Sequence, residues 1–310
     1  MQYKRIISLL PSATEVLYGL GVEKMLVGRS HECDYPSQVD EIPVCSSATV
    51  NNEMSSEAIN EKVKESLLNA VSVYQLDIEL IKSLKPDIVI TQSQCKACAV
   101  DVEQVEGELQ KALGRKVQII DLAPSSLEEF YEDIMKISDP IDVFGRGKRY
   151  VKALKTRIQH IEAITEKKKN KPVVAAIEWM EPLMVAGHWM PELIEFAGGT
   201  PSITEKGKPS QWIQWEDIQS LNPDVLFIAN CGFSIKRTMQ EIDLLKSKPG
   251  WSELKAVKNN QVYAADGNAF FNRSGPRLVE SIEILCDILH PENFMFGHLN
   301  RNFIRVDVNS

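Results

Sequence analysis

Two cysteines, Cys95 and Cys98 in the stretch "ITQSQCKACAVD", have the spacing of a metal clip or a redox pair. Thiolate sulfur is a good ligand for zinc, iron, copper and cobalt. A single CxxC is nevertheless a weak zinc signal without a second pair, and a weak redox signal without a thioredoxin pattern. The cysteines follow "DIVITQ", a run typical of a buried strand, and parallel α/β sheets bind ligands where their strands end. Ligand contact and simple packing therefore both stay open for these thiols.

A second group of soft ligands follows another predicted strand, "MLVGRS", in the segment "HECDYP". His31 and Cys33 are two residues apart, so both can coordinate one metal only if the backbone is extended there. A histidine held by hydrogen bonds within its loop is the alternative. The sequence thus offers four candidate metal ligands: His31, Cys33, Cys95 and Cys98.

Aromatic residues follow the predicted strands of the second half of the chain. Trp179 ends "PVVAAIEW", and His188 and Trp189 lie between a strand and a proline suited to start a helix. Flat aromatic side chains and soft ligands together suit a metal held in an organic ring better than a bare sugar or amino acid. We expect His188 and Trp189 to be functional, whereas Trp212 and Trp215 are expected to pack against a lobe surface.

The first predicted strand, "RIISLL", is followed by Pro11 and Ser12. Ser12 is predicted to cap the next helix, with Glu15 as its capping-box partner. Cys45, beside a short strand, and Cys286, on an apolar helix face, are expected in the core.

The sequence lacks the motifs that several functions require. The sequence contains no Walker loop and no GxGxxG, so nucleotide binding has little support. GxSxG and HExxH are also absent, which leaves an enzymatic function resting on the thiols alone. The formal net charge of −8, from 35 basic and 43 acidic residues, argues against nucleic acid as a partner. We therefore expect a binding protein without catalysis.

The first residues carry no recognisable export signal, because Lys4, Arg5 and Pro11 interrupt any apolar leader. No lipobox is visible, and no apolar run approaches the roughly 20 residues that cross a membrane. Six cysteines in such a chain favour a reducing compartment. These features predict a cytoplasmic protein without membrane insertion.

Short β-branched runs alternate with helical patterns along the chain, which predicts βαβ units and parallel sheets. We expect an α/β protein with two Rossmann-like lobes, over residues 1–140 and 171–310, the second ending in a short tail. Residues 143–169 carry apolar side chains at helical spacing and no glycine or proline after Gly147. This stretch predicts one long connecting helix within 141–170.

The two predicted lobes share an internal repeat. "IELIKSLKPDIVI" from Ile78 matches "WEDIQSLNPDVLFI" from Trp215, since each has a glutamate, a proline seven residues later, then Asp and a buried strand. Proline and Asp are common between a helix and a strand. Agreement of the whole pattern, with Glu79 and Glu216 included, favours a two-lobe repeat.

Four segments together resemble the helical-backbone metal-receptor superfamily, whose members are class III periplasmic-binding-protein-like: "RIISLLPSATEVLYGLG", "LVGRSHECDYP", "SLKPDIVITQ" and "GHWMPELIEFAGG". Within it, "HECDYP" and "CKACAV" resemble a cobalamin-binding-protein-like branch that often lacks a leader. The resemblance spans about Lys4 to Leu289. It implies two α/β lobes joined by one long helix, with a shallow cleft between them for cobalamin, a siderophore or haem.

The resemblance also implies roles for individual residues. In exported members a glutamate on each lobe docks against arginines of the membrane permease, and Glu79 and Glu216 stand at the matching positions. Cobalamin binders hold the corrinoid largely by aromatic stacking, a role that falls here to Trp179, Trp189 and Phe270. The other candidate ligand-binding residues are Pro11, Ser12, His188 and Arg273.

We expect a non-catalytic protein whose small-molecule partner is a corrinoid such as cobalamin, or a related metal chelate. The second hypothesis is a protein with a thiol- or histidine-ligated metal, either a metalloenzyme or a metal chaperone. The third is the substrate-binding component of an ABC transporter for cobalamin or iron chelates, which has a permease as partner only if it is exported.

Overall fold

The computed structural model describes residues 4–48, 54–68, 74–93, 107, 109–111 and 113–308. The described residues form two compact units. Unit 1 takes its residues from Met1–Met54, Ala58–Pro124 and Glu128–Ala153. Unit 2 takes its residues from Ser55–Glu57, Ser125–Leu127 and Leu154–Ser310.

Unit 1 is built on a four-stranded parallel sheet, as the alternation of strands and helices predicts. In spatial order its strands are β2 (Leu26–Arg29), β1 (Ile6–Ser8), β5 (Ile88–Thr91) and β6 (Gln118–Asp121). Both central strands, β1 and β5, are buried along their whole length, which explains why every residue of each strand except the last is apolar. A separate antiparallel pair joins β3 (Ser46–Ala48) to β4 (Tyr74–Leu76).

The helices described in full that lie mostly in unit 1 are α1 (Pro11–Gly19), α2 (Ser56–Leu68), α3 (Ile78–Leu84) and α4 (Leu127–Ser138). Short 3₁₀ turns cover Glu23–Met25 and Ser37–Glu41. Helix α4 is not among the helices predicted from the sequence. The signal for it is the helical spacing of Leu127, Phe130 and Ile134, which are all buried.

Helix α1 has its N-cap two residues earlier than predicted. Pro11 occupies its first turn and Leu10 is its N-cap, with no side-chain cap, so the prediction that Ser12 caps this helix with Glu15 is wrong. The fixed backbone angle of proline suits the first helical position, which places the helix start ahead of the serine. Ser12 and Glu15 are instead buried in the first turns.

The predicted connecting helix is α5 (Phe144–Thr165), which runs for 22 residues and passes from unit 1 into unit 2. Leu154, Ile158 and Ile161 are buried at helical spacing. The prediction of a single helix here is confirmed, and its end at Thr165 leaves the lysine-rich run beyond it outside the helix.

Unit 2 contains a seven-stranded sheet in the order β10-β8-β7-β11-β12-β13, with β9 also paired to β7. The strands are β7 (Val173–Trp179), β8 (Met184–Val185), β9 (Thr200–Pro201), β10 (Gln211–Trp212), β11 (Val225–Ile228), β12 (Val262–Ala265) and β13 (Phe303–Arg305). Strands β7, β9, β11 and β12 are parallel, as predicted. Strands β8, β10 and β13 add antiparallel edges, so the sheet is mixed.

The α-helices of unit 2 are α6 (Met190–Phe196), α7 (Trp215–Leu221), α8 (Ile235–Met239), α9 (Asp243–Lys246), α10 (Lys255–Lys258) and α11 (Leu278–Leu289). A 3₁₀ turn covers Trp251–Glu253, and a π-helical turn covers Gly267–Phe271. Cys286 on α11 and Cys45 in unit 1 are both fully buried, as predicted. Burial raises the pKa of both thiols, that of Cys45 to about 11, so both stay protonated at neutral pH.

The internal repeat is confirmed by matching hydrogen bonds in the two units. The Asp87 carboxylate accepts from the Arg5 backbone N–H at 2.8 Å, and the Asp87 N–H donates to the Arg5 carbonyl at 2.7 Å. In unit 2, Asp224 makes the same pair of bonds with Val173, at 2.8 and 2.9 Å. Each aspartate therefore ties the start of its strand to the start of the neighbouring strand.

The last residues do more than form the short tail expected from the sequence. Strand β13 pairs antiparallel with β12, and Phe303 and Val306 are buried. None of the helices in the described part of the chain has both the length and the apolar character needed to cross a membrane.

Candidate ligand-binding residues at the strand ends

Pro11 and Ser12 lie directly after β1, at the carboxyl end of a central strand of unit 1. Ser12 is 3% exposed. The Ser8 hydroxyl, at the end of β1, donates to the Leu10 carbonyl at 2.9 Å. Both candidates stand where the sequence predicts a ligand, with Ser12 largely covered by its own unit.

Cys33 is fully buried in unit 1. Its thiol accepts from the Thr14 hydroxyl at 3.1 Å and lies 3.8 Å from the Ser8 carbonyl, to which it donates. These contacts join the loop after β2 to the start of α1. The structure thus gives Cys33 a packing role, and metal coordination by its thiolate would require the bond that it donates to the Ser8 carbonyl to break.

His31, in the same loop, contacts Ser46 of β3 and its loop neighbour Glu32. Its Nδ1 lies 2.8 Å from the Ser46 hydroxyl, and its Nε2 lies 3.4 Å from a Glu32 carboxylate oxygen. The ring is therefore oriented by neighbours on two sides.

The CxxC pair, Cys95 and Cys98, lies outside the described residues. Within the described ranges, no group of three or more histidine, cysteine, aspartate or glutamate side chains has an arrangement that could hold a metal ion. The proposal of a metal at His31, Cys33, Cys95 and Cys98 therefore stays a prediction.

Trp179 and Trp189 are each 8% exposed in unit 2. The indole N–H of Trp179 donates to the Glu181 carbonyl at 3.0 Å, and that of Trp189 donates to the Phe271 carbonyl at 2.8 Å. With their N–H groups bonded to backbone carbonyls, both indoles act as packing residues near the strand ends. Less than a tenth of either side chain is left to contact a ligand.

His188 has an unusual backbone, with φ of 51° in the left-handed region. Its N–H donates to the Lys208 carbonyl at 2.6 Å, and its carbonyl accepts from the Gly207 N–H at 2.8 Å. These bonds hold a conformation that a non-glycine residue rarely adopts. Burial lowers the pKa of the imidazole, which keeps it neutral at pH 7 and able to donate a lone pair to a metal.

Phe270 and Arg273 lie on the loop after β12, where Asp266 caps a π-helical turn by accepting the Ala269 N–H. Phe270 is partly exposed, with the Arg277 guanidinium 5.4 Å from the centre of its ring. Arg273 donates to the Asn268 side chain at 2.9 Å. The Phe270 ring of this turn thus lies close to the Arg277 cation.

Gly267 allows this turn to approach the end of β11 closely. A Cβ atom at this position would overlap the Asn230 carbonyl oxygen and lie 2.9 Å from the Ala229 carbonyl carbon. Asn230 itself is fully buried, and its side-chain amide has no hydrogen-bond partner in the described residues. The ends of β11 and β12 are therefore packed backbone against backbone.

Trp212, expected to pack against a lobe surface, is mostly exposed. Trp215, three residues later, is buried and stacks on Trp251, as a packing residue does. Trp212 is 56% exposed. Trp212 pairs with Met184, which in turn pairs with Trp179, so it lies level with the carboxyl end of β7. Its polar neighbours in "SQWIQ" are the signal that could have separated it from the core.

Comparisons with known proteins agree with this architecture. A family profile described as periplasmic binding protein matches residues 6–269. The chain belongs to this periplasmic binding protein family. It is 27% identical over 299 residues to an uncharacterized ABC transporter substrate-binding lipoprotein, YvrC, of Bacillus subtilis, which covers 94% of this chain and 81% of the relative.

Two further comparisons extend across nearly the whole periplasmic binding protein chain. The vitamin B12-binding protein of Vibrio cholerae is 25% identical over 291 residues, covering 92% of this chain and 89% of the relative. A possible iron-binding periplasmic solute-binding protein of Staphylococcus epidermidis, solved by crystallography, has a TM-score of 0.69 at 24% identity and covers 94% of this chain and 100% of that one. The latter likeness supports the fold.

The two repeat glutamates of this periplasmic binding protein occupy equivalent places. Glu79 lies in the first turn of α3 and Glu216 in the first turn of α7, and both are exposed. Each helix ends at a residue in the left-handed conformation, Lys85 with φ of 46° and Asn222 with φ of 48°. Glu79 also pairs with Lys82 at 2.6 Å. Two surfaces of similar construction therefore each present a glutamate carboxylate in the first turn of a helix.

Proposed function

We propose that this chain is a non-catalytic receptor for a metal chelate, with a cobalamin-like corrinoid as the first candidate. Support comes from the vitamin B12-binding relative, which matches over 92% of this chain. The observation that carries the proposal is Trp212, an indole that is 56% exposed beside the carboxyl end of β7. Ligands of parallel α/β sheets bind at this end of the strands.

The neighbouring groups of unit 2 suit such a ligand. Trp212 and Phe270 provide aromatic surface for the flat ring system of the chelate. Arg273 provides hydrogen-bond donors for amide or carboxylate groups at the edge of the ring. His188, neutral at pH 7, is a candidate axial ligand for the metal. The cleft expected between the lobes stays a prediction of the family resemblance.

A titration of the purified protein with aquacobalamin tests this function. Binding should release or absorb heat in titration calorimetry, and coordination by His188 should shift the visible absorption bands of the corrinoid. Trp212→Ala should weaken binding about tenfold, since aromatic contacts contribute about 1–1.5 kcal/mol. Trp212→Phe should keep most of the affinity.

The matched control is Phe144→Ala, which removes another exposed aromatic ring, at the start of α5. It should bind like the unaltered protein. No heat and no spectral change with aquacobalamin, together with none for haem or ferric citrate, would refute the chelate-binding function. Binding without a spectral shift in His188→Ala, but with a shift in the unaltered protein, would assign the axial ligand.

We further propose that the receptor delivers its ligand to the permease of an ABC transporter through Glu79 and Glu216. Support comes from their equivalent exposed positions and from the ABC transporter relative. Glu79→Lys with Glu216→Lys should abolish ligand uptake by cells and leave binding of the ligand in solution unchanged. Uptake at the original rate would exclude this docking role.

The cytoplasmic location expected from the first residues stays a separate proposal. Fractionation of cells with an antibody against the protein decides between a cytoplasmic pool and a pool at the outer face of the membrane. Delivery to a permease from outside requires the second result.

A further inference from the structure

A loop near the end of the chain, residues 291–302, displays three large apolar side chains. Met295 is 92% exposed, Leu299 is 53% exposed and Phe296 is 42% exposed. Single exposed apolar residues are ordinary, but three within five positions form a patch. They lie beyond residues 6–269, which the family profile matches.

The loop is held in place by the helix before it. The Asp287 carboxylate, on α11, accepts the backbone N–H groups of Phe296, Gly297 and His298 at 2.7, 3.1 and 3.1 Å. Phe294 is buried and stacks against Phe296, with ring centres 5.7 Å apart. An apolar surface fixed in this way loses little conformational entropy when it meets a partner.

A basic segment lies against the same loop. The Lys168 ammonium contacts the Glu292 carboxylate at 2.5 Å and also contacts the Asn293 side chain. Lys168 therefore joins the segment after α5 to the start of the loop. Its neighbours Lys167 and Lys169 are exposed.

Positive charge predominates around the patch. Lys167, Lys169, Lys171 and Arg301 are exposed, against the exposed carboxylates of Glu166 and Glu292, and the Glu292 carboxylate is paired with Lys168. Apolar side chains beside exposed lysines and arginines are the combination that binds the surface of an anionic membrane. The charge and the apolar patch therefore favour the same kind of partner.

We propose that this membrane-facing patch, formed by Met295, Phe296 and Leu299 with Lys167, Lys169 and Arg301, contacts an anionic lipid surface. The apolar side chains enter the boundary between headgroups and acyl chains, and the basic side chains remain among the lipid phosphates. The contact is peripheral and does not use the ligand-binding residues at the strand ends. It would hold unit 2 near a membrane whether or not a ligand is bound.

Sedimentation of the ligand-free protein with lipid vesicles tests the patch. We expect binding to vesicles of phosphatidylglycerol mixed with phosphatidylcholine, and weaker binding to phosphatidylcholine alone. Met295→Ser with Phe296→Ser should reduce the partition coefficient about tenfold, because the inserted apolar area is lost. Lys167→Gln with Lys169→Gln should reduce binding and make it less sensitive to salt.

The matched control is Val44→Ser, which alters an exposed apolar residue of unit 1. It should sediment like the unaltered protein. Absence of binding to phosphatidylglycerol vesicles at low salt would overturn the proposal, as would binding that the Met295 and Phe296 changes leave intact. Self-association that these changes abolish, without vesicle binding, would also overturn it and assign the patch to a dimer interface.

Discussion

Units 1 and 2 agree at the amino ends of their central strands and differ at the carboxyl ends. At the amino ends, Asp87 and Asp224 make the same two backbone hydrogen bonds. At the carboxyl ends, Cys33 of unit 1 is buried in bonds within its unit, whereas Trp212 of unit 2 is exposed. One end of the repeated unit thus preserves the fold, and the other end carries side chains that can differ between units.

The difference is visible at one position of the repeat. Counted back four residues from Glu79 and Glu216, the chain has Gln75 in unit 1 and Trp212 in unit 2. Gln75 lies in β4 and Trp212 in β10, each in an antiparallel pair next to its glutamate-bearing helix. A polar residue and an aromatic residue therefore occupy matching places.

The largest expected effect comes from disturbing the carboxyl ends of unit 2. In Gly267→Ala, the added Cβ overlaps the Asn230 carbonyl oxygen, and backbone cannot move aside cheaply. We expect a loss of about 3 kcal/mol in the free energy of unfolding, measured by urea denaturation. Gly107→Ala is the control in unit 1, since nothing lies within 4 Å of a Cβ there. A loss below 1 kcal/mol on Gly267→Ala would show that the ends of β11 and β12 are loosely packed.

The shared amino ends should respond alike in both units. Asp87→Ala and Asp224→Ala each remove a carboxylate that accepts a backbone N–H, and each should cost about 2 kcal/mol in the free energy of unfolding. Arg115 contacts Asp87 at 3.4 Å, and Lys255 pairs with Asp224, so both variants also lose an ion pair. Urea denaturation measures both losses. Costs that differ by more than about 1 kcal/mol would break the equivalence of the two units.

The shared end was predictable from the sequence because its signals are local. A helix, a proline, an aspartate and an apolar strand stand in one order in both halves, so the repeat and the parallel sheets could be derived from patterns within about 15 residues. The N-cap of α1 was misplaced by two residues, since Ser12 and Pro11 both favour a helix start and no local signal decides between them.

The differing end was harder to predict because burial there depends on tertiary contacts. Trp212 and Trp215 have the same side chain three residues apart, yet one is exposed and the other is buried against Trp251. Trp179 and Trp189 were predicted to face a ligand, and both are mostly covered within unit 2. Only the pairing of β10 with β8 places Trp212 at the strand ends, and two-residue strands leave little trace in a sequence.

Two aspartates in the different units should give opposite responses to pH. Burial raises the pKa of Asp133 on α4 to about 6, although Lys136 lies 2.7 Å away and opposes the rise. The folded state therefore binds this proton more tightly than the unfolded state, so the contribution of Asp133 to stability falls as pH rises from about 4 to 6. Burial opposes ionisation of Asp224 as well, but bonds from Lys255 and the Val173 N–H hold its pKa below the ordinary value. Its contribution is lost as pH falls below about 4.

Asp133→Asn tests the pH response of Asp133 while Asp224 stays unchanged. The variant removes the cost of a buried charge and also the pair with Lys136, so we expect a net gain of about 1 kcal/mol in the free energy of unfolding at pH 7. The gain should vanish at pH 4, where the native carboxyl is protonated. Urea denaturation at several pH values measures it, with Glu128→Gln on the same helix as an exposed control. A loss of stability at pH 7 would show that the bond to Lys136 outweighs burial.

The smallest expected effect on stability is at the position where unit 1 has a glutamine and unit 2 has a tryptophan. Trp212→Gln introduces the residue that unit 1 carries at the matching place, and an exposed side chain on a two-residue edge strand contributes little to folding. We expect the free energy of unfolding to change by less than about 0.5 kcal/mol, whereas Trp215→Gln, at a buried position, should lose about 3 kcal/mol. Calorimetric titration with aquacobalamin should nevertheless show weaker binding for Trp212→Gln. A variant that loses both stability and affinity would place Trp212 with the packing residues of unit 2, because an exposed ligand contact can be removed without disturbing the fold that presents it.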